Sequence, residues 1–326
     1  MREKYLFVRI LEACNANCFM CDFALSKDRY RFTPAELSTF LVEAERYGVK
    51  YVRLTGGEPL IHPDICELVE IISSAGMKSS IITNGSALPS RINALAKSGL
   101  YQIIVSIDGL DSSHDDIRGF AGLFNRCAEG LTKAKSLGMR TRVNTVVGPH
   151  NYRDMPALQR ILTDLGVDQW ELSAIKLDRH IAYSDRQDVI TVCEPIYKSP
   201  PGLLVPTGHR FYGETREAQN AFFNLGTCPK PSGQRCNLMG DVIYFDPKVD
   251  RAFGCSLLPH RTGDGKANGA IIRTPDGAWS LNSSAWLDHV SHYASTGHRG
   301  CKGCSTTAAG YSDAVDTGDE IADLAF

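Results

Sequence analysis

The chain has 326 residues, 43% of them hydrophobic, enough for one large core or a core with a small appended unit, so stability does not demand disulfides. A formal net charge of −2 without blocks of like charge carries no footprint for nucleic acid or an anionic membrane, and the charged start followed by a short apolar run broken at Arg9 is neither signal peptide nor membrane span. The 11 cysteines, an odd number in tight groups, exclude a fully paired secreted framework and point to metal or cluster binding in a reducing cytoplasm, with a small molecule or peptide as partner.

From residue 5 to about residue 180, β-rich runs at 5–10, 51–54, 79–83, 102–107, 140–147 and 169–175 alternate with helical stretches. This is the pattern of βα units on a parallel sheet, an α/β fold, and six units suit a partial barrel better than a complete one of eight. One helix start is explicit: Thr33 as N-cap, Pro34 at the first helical position and Glu36 completing a capping box ahead of Leu37, Phe40, Leu41 and Ala44.

Cys14, Cys18 and Cys21 lie in the loop leaving the first strand, where parallel barrels carry their active-site loops. Three thiolates spaced Cys-x-x-x-Cys-x-x-Cys hold three irons of a four-iron cluster and leave the fourth open to another ligand. A zinc knuckle or buried thiols are the alternatives, but structural zinc wants four ligands and the next candidates, His62 and Cys66, are remote in sequence. After the second strand comes Thr55-Gly56-Gly57-Glu58-Pro59-Leu60, a turn whose glycines let the backbone come close to a neighbour.

The two motifs, in this order, resemble the radical S-adenosylmethionine (SAM) superfamily. The resemblance implies a partial (β/α)6 TIM-like barrel, a [4Fe-4S] cluster on Cys14, Cys18 and Cys21, and SAM as second cofactor. It assigns the SAM ammonium to the backbone of Gly56 and Gly57 and to Glu58, and places Asn84, Ser106, Asp108 and Asn144 at successive strand ends, with Ser106 and Asn144 at the ribose or carboxylate region. Arg118, in His114-Asp115-Asp116-Ile117-Arg118-Gly119, looks like the arginine that pairs with the SAM carboxylate, a solvated surface arginine being the alternative. Met20, beside Phe19, stands where the family often has an aromatic residue against adenine.

Beyond the barrel core, residues 1–185, a Pro- and Gly-rich stretch within 186–230 reads as a bridge. Residues 231–326 contain a hairpin candidate near 241–245 and a polar loop at 262–269, too little core unless something staples it. Cys236, Cys255 and the pair Cys301-Lys302-Gly303-Cys304 resemble the twitch form of the SPASM domain, which implies a second, auxiliary [4Fe-4S] cluster; zinc is the alternative, and Cys228 competes with Cys236 as ligand. Cys66, Cys127 and Cys193 read as buried thiols.

By resemblance, an external one-electron reductant such as flavodoxin or ferredoxin drives SAM cleavage to a 5′-deoxyadenosyl radical, which takes a hydrogen atom from a small sugar-containing substrate. Over most of its length the chain looks most like the cytosylglucuronic acid decarboxylases, lyases of blasticidin-type nucleoside antibiotic biosynthesis. A dehydrogenase of a sugar or cyclitol alcohol is the second reading, and a non-catalytic iron-sulfur scaffold or sensor the third. Glu171 is the candidate base and Lys176 the candidate cation, with Ser173, Arg179, His209 and Arg210 as further polar groups.

Overall fold

The structure, a computed structural model, describes residues 4–21, 23–175, 183, 185–198, 200–205, 210–213, 215–225, 242–246, 251–254, 271–273, 275 and 279–296. The barrel strands are β1 (Lys4–Leu11), β2 (Val49–Gly56), β3 (Lys78–Thr83), β4 (Gln102–Ser106), β5 (Arg140–Val147) and β6 (Gln169–Ala174). Between them lie α1 (Pro34–Tyr47), α2 (Ile65–Ser74), α3 (Leu88–Lys97), then α4 (Asp111–Arg118) with α5 (Leu123–Ser136), and α6 (Met155–Asp164). The six strands pair in sequence order and all in parallel, as the alternation of strand and helix signals expects. The capping box forms as read: Thr33 Oγ1 accepts from Glu36 N at 3.3 Å, and Thr33 N donates to Glu36 Oε2 at 2.8 Å.

Each strand sends alternate side chains to opposite faces. Leu6, Val8, Ile10, Val52, Leu54, Ile103, Val105, Val143, Trp170 and Leu172 are buried in one continuous core with residues of the surrounding helices. The other set faces its own kind: Arg53 Nε donates to Ser80 Oγ at 3.0 Å, and Gln102 Nε2 donates to Gln169 Oε1 at 3.2 Å. Gln102 and Gln169 sit on β4 and β6 with β5 between them, so they meet only because the sheet curls into a polar concave face.

The later chain differs from its reading. Beyond β6 come α7 (Arg186–Cys193), α8 (Arg216–Leu225), β7 (Val242–Asp246), β8 (Arg251–Phe253), β9 (Ile271–Arg273), β10 (Trp279–Leu281) and α9 (Ser283–Thr296). The stretch read as a bridge contains two helices that bury Tyr197, Phe211, Tyr212 and Phe222 against the main core. Its Pro and Gly residues near 200–202 mark a turn rather than a loose linker. Leu204 lies beside the β6 edge, donating to Asp168 O and accepting from Trp170 N, both at 2.9 Å, which covers an otherwise open edge strand. The hairpin expected in the appended unit adds to the barrel sheet: β7 pairs in parallel with β1, and β8 pairs antiparallel with β7. Phe245 stacks on Phe40 of α1 at 4.4 Å, and Trp279 of β10 packs edge-on against Phe245 at 5.2 Å. Among the described residues no helix is long and apolar enough to cross a membrane.

Helices α3 and α5 touch closely at Gly130, where an added Cβ would lie 2.6 Å from Leu88 Cγ and 2.9 Å from Leu88 Cβ. Overpacking at that buried contact outweighs alanine's better helix propensity, so Gly130→Ala should lower stability by about 1–2 kcal/mol in denaturant unfolding. An unchanged midpoint would show that the helices separate freely.

Candidate active site

The functional loops gather at the carboxyl ends of the strands. The chain leaves β1 through the cysteines and returns beside it: Phe32 N donates to Ile10 O at 2.7 Å and Glu12 N to Tyr30 O at 3.4 Å. The turn after β2 is laced to the outgoing limb, with Gly57 N bonded to Leu11 O at 3.0 Å and Glu58 N to Ala13 O at 2.9 Å. Both glycines are required by this approach. Gly56 has φ +146°, and a Cβ on Gly57 would lie 2.1 Å from Ala13 O.

Glu58, expected as a ligand acceptor, is already engaged by the protein. Glu58 is fully buried, and its carboxylate accepts from Thr83 Oγ1 at 2.6 Å, Asn84 N at 2.6 Å and Leu60 N at 2.9 Å. Burial pushes its pKa up while these hydrogen bonds work against that shift. The carboxylate therefore braces the ends of β2 and β3. Asn84 is also engaged, donating to Asn15 Oδ1 at 2.9 Å, while Asn15 Nδ2 donates to Ser86 Oγ at 2.9 Å. Asn15, between the first two cysteines, was missed by sequence reasoning; its signal is a polar amide inside the cysteine motif.

A third tie comes from the end of α4. Asn17 N donates to Arg118 O at 3.0 Å and Phe19 N to Ile117 O at 3.4 Å, and a Cβ on Gly119 would lie 2.6 Å from Asn17 O. Arg118 is not the surface arginine of the alternative reading. Its side chain is 12% exposed, pairs through Nη2 with Asp108 Oδ2 at 2.6 Å and points Nη1 at Cys18 Sγ at 3.8 Å. Burial alone would lower its pKa, but Asp108 and Cys18 hold it above the ordinary value. Asp108 is fixed in turn, its Oδ1 accepting from Val146 N at 2.7 Å and its own N–H donating to His114 Nδ1 at 3.0 Å.

Ser106 and Asn144 are register partners on β4 and β5, so the structure brings these two together. Asn144 Oδ1 accepts from Arg142 Nε at 2.8 Å, and Arg142 also pairs with Glu171. The candidate base is thus not a free carboxylate. Arg142 was overlooked, although the two-residue alternation Arg140, Arg142, Asn144 on a predicted strand puts it on the polar face. Met20 is half-buried beside exposed Phe19, whose ring meets His150 edge-on at 5.0 Å. Cys127 and Cys193 are buried thiols, each pushed up to about 12 by burial, whereas Cys66 is only partly buried. Arg210 lies away from this mouth, forked onto Glu194. Lys176, Arg179, His209, Cys228, Cys236, Cys255, Cys301 and Cys304 lie outside the described residues.

Comparison with known proteins agrees with this geometry. Residues 8–162, just under half of the chain, match the sequence model of the Radical SAM superfamily. A probable GTP 3′,8-cyclase of Methanocaldococcus jannaschii is 32% identical over 178 residues, covering 51% of this chain and 59% of the relative. An AdoMet-dependent heme synthase of Methanosarcina barkeri is 31% identical over 157 residues, covering 47% and 45%. The chain thus spans about half the length of these curated relatives. Streptococcus suis SuiB bound to S-adenosylmethionine superposes with a TM-score of 0.61 at 16% identity, over 90% of this chain and 66% of that one. The anSMEcpe chain with bound AdoMet and a peptide gives 0.62 at 14% identity, over 89% and 82%. At those identities the likeness is one of fold.

The match implies a [4Fe-4S] cluster and SAM as cofactors. The donors fit. Cys14 and Cys18 are half-buried, and burial raises both thiols, with neighbouring cysteines adding to the rise, so a cationic group is needed to hold them together as thiolates. Structural zinc wants four ligands on one ion, whereas a four-iron cluster takes one thiolate per iron, so three cysteines suit the cluster better.

Two outcomes are expected. Gly57→Ala must push the turn off Ala13 and should cut iron bound on anaerobic reconstitution to well under half of the parent's, measured per folded chain. His114 is pulled down to about 4, by burial first and then by Arg118. The unfolded chain therefore protonates it near its ordinary 6.5 while the folded chain refuses the proton. Stability contributed this way falls as pH drops from about 6.5 toward 4, and His114→Gln should show a shallower fall over that window in denaturant titrations.

Proposed function

We propose that this chain cleaves SAM reductively and uses the resulting radical to take a hydrogen atom from the sugar of a small nucleoside uronic acid, with loss of carbon dioxide. The observation that carries the radical chemistry is the pinning of one three-cysteine loop to the ends of β2, β3 and α4 at a single barrel mouth. When bound, the [4Fe-4S] cluster and SAM supply one-electron cleavage of the sulfonium and the 5′-deoxyadenosyl radical, the electron coming from an external reductant such as flavodoxin or ferredoxin.

The chain's own groups then do ordinary work. The backbone carbonyls of the Gly56-Gly57 turn would receive the SAM amino group, Ser106 and Asn144 would face its ribose or carboxylate region, and Met20 would lie against adenine. The polar concave face, with Arg53, Arg142, Glu171 and Ser173, suits a hydroxyl-rich substrate better than an apolar one. A carboxylate entering this shielded mouth needs a cation, and Arg142 and Lys176 are the candidates; Glu171 governs a ring hydroxyl once the substrate carboxylate competes for Arg142. The substrate change, R–COO⁻ + H⁺ → R–H + CO₂, is redox-neutral, while SAM⁺ + 2e⁻ + H⁺ → methionine + 5′-deoxyadenosine draws two electrons from the external reductant: one cleaves SAM and the second reduces the substrate radical left after carbon dioxide is lost. A nucleotide in the name of one relative, the GTP 3′,8-cyclase, supports a substrate of the nucleoside class. The relatives carry cyclase and synthase names, and the decarboxylation rests on likeness to the cytosylglucuronic acid enzymes alone. Cys236, Cys255, Cys301 and Cys304 are proposed to hold an auxiliary [4Fe-4S] cluster.

Anaerobic incubation of the reconstituted chain with SAM, dithionite and cytosylglucuronic acid should give 5′-deoxyadenosine, carbon dioxide and a nucleoside lighter by the carboxyl group, followed by mass spectrometry. Replacing Cys14, Cys18 and Cys21 together by Ala should abolish all three. A ketone with the carboxylate retained would favour the dehydrogenase, and iron-loaded protein that makes no 5′-deoxyadenosine would leave a scaffold or sensor.

A further inference from the structure

Arg118 is held between two anions. Its Nη2 is 2.6 Å from Asp108 Oδ2 and its Nη1 is 3.8 Å from Cys18 Sγ, while its backbone carbonyl accepts from Asn17 N one residue before that cysteine. The guanidinium is therefore positioned by the same helix end that positions the sulfur beside it. Asp108 is completely buried and anchored by Val146 N, so neither charge swings into solvent. His114 accepts the Asp108 N–H through Nδ1 and so is held unprotonated there, adding no second cation, while Glu58 and Cys127 also feel the Arg118 charge.

We infer that Arg118 is a positioning residue that acts through the Cys18 sulfur to set the reduction potential of the first cluster, with Asp108 as its opposing charge. The inference rests on the reading of Cys14, Cys18 and Cys21 as cluster ligands. One electron from an external reductant takes the cluster from the 2+ to the 1+ level, with no bond made and no proton moved. The reduced form carries one more negative charge, which a cation beside a ligating sulfur favours and an anion disfavours. With little water between the charges, screening is weak and the effect survives in salt. This role is separate from a clamp on the SAM carboxylate, since it acts through the Cys18 sulfur and is read in the absence of SAM.

The test is an EPR-monitored redox titration of the reconstituted full chain without SAM, the first-cluster signal being the part lost when Cys14, Cys18 and Cys21 are all Ala. Arg118→Gln should lower the ratio of reduced to oxidised cluster at a fixed potential about tenfold, which is ~59 mV for a one-electron couple. Arg118→Lys, which keeps the charge, should stay within about twofold of the parent. Asp108→Asn should move the ratio the opposite way, a sign that a purely structural role would not produce. If Arg118→Gln takes up no iron, Asp108→Asn decides alone, since it leaves the guanidinium on Cys18. Potentials unchanged in the variants, or shifted in the same direction by both neutralisations, would overturn the inference. So would a parental potential in Arg118→Gln combined with tenfold weaker SAM binding, which would return the arginine to the SAM carboxylate. Absence of any signal dependent on the three cysteines would bring down the cluster reading itself.

Discussion

The contact between two backbones, Gly57 against Ala13, is the constraint on which the mouth of the barrel depends. Parallel strands β1 and β2 continue their hydrogen bonding past their ends only because Gly57 has no Cβ to place where Ala13 O already sits. From that fixed point the cysteine loop starts at a defined height above the sheet. Glu58, next in sequence, carries the constraint to β3 through Thr83 and Asn84, and Asn84 returns it to the loop through Asn15. The closed circuit leaves the three thiols few ways to rearrange, which is how a loop without regular structure presents ligands at fixed spacing.

Charges at the mouth obey a similar economy of neighbours. Glu58 is held by three donors and feels the Arg118 charge without contacting it, whereas Asp108 is buried with both a donor and a direct Arg118 pair. Either arrangement satisfies a carboxylate removed from water. Lower on the concave face Arg9 pairs with Glu12 and with Asp246, so a cation inside the barrel joins the cysteine loop to β7. The mouth and the late-coming strand are thereby coupled by one side chain.

Much of this was legible in the residues themselves. The six barrel strands follow from β-rich runs, and the boundaries are close because ladder bonds persist just past them, as in Ile107 N to Asn144 O at 3.1 Å and Ile175 N to Val147 O at 2.8 Å. The cysteine spacing and the double glycine located the site. The roles of Glu58 and Arg118 were less legible, since a motif names a residue type at a position and says nothing of which way the side chain turns. Glu58 turns toward three protein donors, and Arg118 finds Asp108, ten residues earlier across a helix. Partners distant in sequence, such as Arg142 with Glu171 or Gln102 with Gln169, appear only when the sheet curls. The stretch after β6 was misjudged because its Pro and Gly residues stand out, whereas Phe211, Tyr212 and Phe222 declare themselves only by burial.

The pairing of β7 with β1 also orders the birth of the molecule. Arg9 and Asp246 are separated by 237 positions, so at about 5–20 residues per second a ribosome delivers the second partner roughly 10–50 s after the first. During that interval β1 is an edge strand, its outer N–H and C=O groups unpaired beside an apolar run that another nascent chain could join. The barrel therefore passes through a stage, fixed by its topology, in which the strand leading to the cysteine loop depends on protection from outside the finished fold.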